Sequence, residues 1–100
     1  MKHLLSCLAF VSLLFFFSCG EMTTENDAIK INQQGIEFMN AGKYELALQA
    51  FLKAVKNPRL SKDTKGTIYR NIALTYSDLD RKDSAVHFCT LAAKCYRKNS

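Results

Sequence analysis

Residues 28 to 58 can be laid over residues 66 to 96 at an offset of 38 without a gap, and side-chain size is kept at the aligned positions. Ile31 meets Tyr69, Gly35 meets Ala73, Phe38 meets Tyr76, Ala47 meets Ala85, Phe51 meets Cys89 and Ala54 meets Ala92. A chain that repeats one short unit is confined to architectures in which neighbouring units cover each other's apolar faces. Within each copy small residues fall where two helices must come close, and bulky ones surround them at helical spacing, so the unit reads as a helical hairpin and the chain as all-α.

Breakers and caps place the helices. The first is expected from Asp27 to Asn40, with Thr24 or Asn26 able to cap it and Ala41-Gly42 to close it. The second runs from Lys43 to Lys56 and stops at Asn57-Pro58, because proline has no N–H for the next helical bond. The third spans Asp63 to Leu79 and the fourth Arg81 to Arg97, making residues 27–97 one module of two hairpins.

The spacing of Gly35, Phe38, Gly42, Tyr44, Ala47, Phe51 and Ala54 resembles the tetratricopeptide repeat, and "NAGKYELALQAFLKAV" is the stretch most like it. In the second copy Ala73, Tyr76, Ala85 and Ala92 fit, whereas Asp80 and Lys82 replace the turn Gly and Tyr, and Cys89 replaces the Phe. The resemblance implies a fragment of an α-α superhelix that binds a protein or peptide in a concave groove lined by the first helix of each pair. By position the groove candidates are Asn32, Ile36, Met39 and Asn40, with Arg70, Asn71, Leu74 and Ser77. The subclass that clamps a C-terminal carboxylate is matched only at Asn71, so that specificity is not carried over. Arg70 could pair with a ligand carboxylate, although a surface role is the plainer reading.

A different pattern occupies the front of the chain. "MKH" supplies a positive start, and Leu4 to Phe17 is apolar apart from two serines. That run is short of the roughly 20 residues that cross a bilayer, and has the length and flanks of a secretory signal peptide. Ser18-Cys19-Gly20 then resembles the lipobox of bacterial lipoproteins, although Phe16 and Phe17 depart from its usual residues. The resemblance implies diacylglyceryl transfer to the Cys19 thiol and cleavage before it, so that residues 1–18 are the signal peptide and residues 19–26 a lipidated tether. The alternatives are an uncut anchor and a secreted protein with a spare cysteine.

Composition narrows the function by exclusion. The net charge of +5 becomes +4 without the leader, and it is uneven: residues 46–100 hold eleven bases against four acids. A basic half could favour anionic lipid, an acidic partner or nucleic acid. Scattered charge and the absence of interleaved exposed aromatics speak for a solvated helical face and against nucleic acid. Cys7 belongs to the leader, while Cys89 and Cys95 fall on different faces of one helix and cannot readily pair with each other. Cys89 is expected in the core in place of the repeat's Phe, and Cys95 in packing or an intermolecular disulfide. His3 lies in the leader and His87 stands alone, so no metal or cofactor is expected beyond the lipid on Cys19. Without a phosphate loop, nucleophile elbow or carboxylate pair, an enzyme is not expected.

The resulting expectation is a bacterial lipoprotein held on the extracytoplasmic side of a membrane, displaying two helical repeats for protein contact. Two repeats are fewer than the usual stable minimum, so uncovered apolar surface on the last hairpin calls for self-association or a partner. One rival is a truncated or vestigial front end of a longer repeat-containing sensor. Another is a peripheral binder of anionic surfaces through the basic half.

Overall fold

The computed structural model describes residues 24–97, and all four helices there are joined in chain order into two antiparallel hairpins: α1 (Glu25–Asn40), α2 (Tyr44–Val55), α3 (Lys62–Asp78) and α4 (Lys82–Tyr96). The leader, Cys19 and the first part of the tether lie outside the described residues. No helix among the described residues is long and apolar enough to cross a membrane.

Local chemistry explains the boundaries. Thr24 accepts from the Asp27 amide while the Asp27 carboxylate accepts from the Thr24 amide, a capping box that satisfies two otherwise orphaned N–H groups. Glu25 and Asn26 are therefore already helical, and α1 begins two residues before its expected start. Ser61 caps α3 through the Thr64 amide, which likewise draws its start back to Lys62.

The turns within the two hairpins are the same device used twice. After α1, the Lys43 amide donates to the Phe38 carbonyl and the Gly42 amide to the Met39 carbonyl; after α3, Arg81 donates to Tyr76 and Asp80 to Ser77. This is the paired closure of a Schellman motif, which requires a left-handed residue just past the helix. Gly42 takes that conformation at φ 79°, and Asp80 takes it at φ 60° with a short polar side chain that tolerates it.

The core lies where three helices meet. Among the described residues, α2 is packed between α1 and α3, whereas α4 packs on α3 alone. Phe51, Ala47, Leu48 and Ala54 of α2 are buried with Ala28 of α1 and with Ile68 and Ile72 of α3. Gly35 is required by one close approach: a Cβ there would stand 2.5 Å from the Phe51 ring. Gly66 has the corresponding role for α4, since its Cβ would lie 2.9 Å from the Tyr96 ring and 3.0 Å from the Cys95 Cβ.

The loop between the hairpins is tied to the start of α1. Asn57 is buried; its Nδ2 donates to the Thr24 carbonyl at 2.8 Å and its Oδ1 accepts from the Arg59 amide at 2.8 Å. Beside it, Ser61 donates to Glu25 Oε2 through its hydroxyl at 2.8 Å and its amide at 3.2 Å. Hydrogen bonds from the Thr64 side chain and then from Ser61 hold the Glu25 carboxyl below its ordinary pKa.

Candidate interaction groove

The eight groove candidates divide into a covered set and an open set. Asn32 of α1 accepts a hydrogen bond from Asn71 of α3 at 2.9 Å, so these two amides are joined at the junction of the hairpins, with Asn71 buried. Met39 accepts from the Thr75 hydroxyl through its sulfur at 3.3 Å, and Ile36 and Met39 are half-buried against the core. Asn40 is exposed at the end of α1.

Arg70, Leu74 and Ser77, by contrast, are exposed on α3 and line a groove whose other wall is α4. Leu74 is 46% exposed, and Val86 across from it is 65% exposed. Ala73 and Cys89 lie along the floor between them. The lining is mostly apolar, with polar groups from Arg70, Ser77 and Thr90, and Arg70 has no acidic partner among the described residues.

Cys89 corrects the sequence expectation, because it is exposed and not part of the core. The reason is geometric. Phe51, its counterpart, is covered because α3 packs against α2, while no helix among the described residues packs on the far side of α4. Cys95 is half-buried beside Gly66, in keeping with a packing role, and both thiols are free.

Two residues that the sequence reading passed over shape the surface. Phe88 stacks on Tyr76 at 5.6 Å and leans on Tyr69 at 5.9 Å. Its counterpart in the first hairpin is Ala50, and there the corresponding space between Ile31, Phe38 and Leu46 stays open as a shallow cleft. The signal in the sequence was the spacing of Tyr69 and Tyr76, seven residues and so two turns apart on one face of α3, with room for a third ring between them. Gly66 is the other; it is found only by asking what would strike Tyr96.

Charge gathers at one end of the module. Lys62, Lys65 and Lys94 surround a hollow floored by Tyr69, Leu91 and Cys95. The Glu25–Ser61 contact places the start of α1, where the chain arrives from Cys19, beside the start of α3. Compared with protein-family models, curated proteins and solved structures, the chain matches none.

Proposed function

We propose that the chain is a bacterial lipoprotein, anchored to the extracytoplasmic face of a membrane through lipid on Cys19, that displays a two-hairpin tetratricopeptide-like module for binding another protein. The observation that carries the protein-contact half is the open apolar groove between α3 and α4, whose walls include Leu74 and Val86. An exposed apolar groove on so small a module marks a surface that is covered in use. The anchor half is supported by the leader and by Ser18-Cys19-Gly20. Two or three acyl chains, at about 0.8 kcal/mol per buried methylene, hold a protein stably on a membrane where one is marginal.

The test is the intact mass of the protein extracted from the membranes of its native host. A mass of residues 19–100 plus diacylglycerol, with or without a further acyl chain, is expected; a mass that retains residues 1–18 without lipid would sink the anchor.

The lysine-lined hollow favours a second, compatible reading in which the anchored end of the module rests on anionic headgroups. It is expected to appear as salt-sensitive flotation of a Cys19→Ser variant with phosphatidylglycerol vesicles and no flotation with phosphatidylcholine vesicles. Equal behaviour with both lipids would dismiss it.

A further inference from the structure

The open groove has a twin in the same molecule, and the twin is occupied. At the offset of 38, Arg70, Leu74 and Ser77 correspond to Asn32, Ile36 and Met39, while Val86 and Cys89 correspond to Leu48 and Phe51. The twin is covered by α3, which buries Ile68, Ile72 and Thr75 completely and bonds Asn71 to Asn32. Reading along α3, the covering face is aliphatic at one position, an amide three residues on, aliphatic at four and a small hydroxyl at seven.

We propose that the groove between α3 and α4 receives an amphipathic helix of a partner protein in the manner in which α3 covers α1 and α2, with an acidic residue in the place of Asn71. The substitution follows from the groove itself. Where the covered twin has the Asn32 amide, the open one has the Arg70 guanidinium, and its complement is a carboxylate, which can accept two parallel N–H bonds from it. The partner helix is thus described by chemistry and register: aliphatic at i and i+4, Asp or Glu at i+3, small and polar at i+7.

A second copy of this chain does not fit that description when stacked head to tail. The helix it would offer is α1, whose residues corresponding to Ile68, Asn71, Ile72 and Thr75 are Lys30, Gln33, Gln34 and Glu37. All four are exposed. Burying them against Leu74 and Val86 would strip water from polar groups without supplying partners. Among the described residues, the outer side of the first hairpin is therefore polar at these positions, and the apolar face left open is that of the second hairpin.

This inference rests on the protein-contact reading above and deepens it. The test uses the full chain in detergent and three labelled peptides copying residues 62–79: one with Asn71→Glu, one unchanged and one with Asn71→Lys. Fluorescence anisotropy is expected to rank them Glu, then Asn, then Lys, with Glu over Lys by at least about tenfold. Arg70→Glu in the protein should reverse the order. Val86→Asp should abolish binding, and because Val86 lines only the open groove this separates docking there from exchange with α3. Circular dichroism of both variants confirms that they remain helical, and Leu74→Asp serves in place of a variant that does not.

Equal affinities, no binding, or an order that Arg70→Glu leaves unchanged would overturn the proposal. So would a dimer in sedimentation that Leu74→Asp dissolves, since the occupant would then be a second copy. The anchor fails separately, on the intact mass. The wider protein-contact reading survives a failure of the peptides if photocrosslinks placed at Asn40, outside this groove, still join the protein to a membrane-surface partner.

Discussion

The second helix of each hairpin occupies the same place in its repeat, yet α2 buries Ala47, Leu48, Phe51 and Ala54 while α4 buries Ala92 alone. The difference is one of neighbours. Among the described residues α2 has a helix on either side, and α4 has one. In a stacked architecture the burial of a position is therefore set by the next unit as much as by its own, and identical turns can join helices of unequal security. Where α4 does gain, it gains on its other face, through Phe88 between Tyr69 and Tyr76.

The sharpest way to break this comparison is to truncate the two counterparts. Phe51→Ala is expected to cost about 3–5 kcal/mol, and Cys89→Ala to stay within about 0.5 kcal/mol, in denaturant unfolding of the full chain. Similar losses would mean that α4 is covered in solution.

The close approach at Gly35 sharpens it next. Gly35→Ala forces the new methyl against the Phe51 ring and should destabilise by about 1–3 kcal/mol. Adding Phe51→Cys imports the pairing that the second hairpin uses, Ala73 with Cys89. The double variant should then lose less than the sum of the two single losses, by about 0.5 kcal/mol or more.

The turns should respond more weakly and with opposite signs. Gly42→Ala places a Cβ in the left-handed region at a cost of about 1–2 kcal/mol, while Asp80→Gly relieves one and should stabilise by less than about 1 kcal/mol. Thermal midpoints of the two variants would read both.

The smallest effect is the acid response at the junction of the hairpins. Because the folded Glu25 carboxyl has a lowered pKa, its contribution is complete above the ordinary glutamate value of about 4.3 and is lost as pH falls from there through the folded value. Glu25→Gln should flatten that limb of the stability profile by lowering stability at neutral pH towards the acid level, leaving the acid end nearly unaffected. A profile identical to that of the parent chain would show that Ser61 and Thr64 contribute nothing through this charge.

Most of the backbone was legible in the sequence. The closure at Gly42, the stop at Asn57-Pro58 and the cap at Thr24, one of two candidates, each follow from one residue's conformational or hydrogen-bonding preference, whereas Asp80 stood out only as a departure from the turn Gly until the structure showed it in the left-handed conformation. The candidate site was legible only in part. Repeat position picked out Asn32, Ile36 and Met39 together with Arg70, Leu74 and Ser77, but it could not divide them, since both sets stand at equivalent points of their copies. Asn71 could not be read as spent on Asn32, because that bond joins residues 39 apart. Cys89 was misplaced in the core for the same reason, its repeat position being silent about what lies beyond α4.

The elements of residues 24–97 were set locally: four helices, their turns and their duplication are products of local preference and periodic apolar spacing. The repeat count also anticipated uncovered apolar surface on the last hairpin; the tertiary structure settled which residues of the shared face are spent against α3 and which line the open groove. Burial depends on the helix that arrives from elsewhere in the chain, and α3 arrives on the first hairpin while none among the described residues arrives on the second.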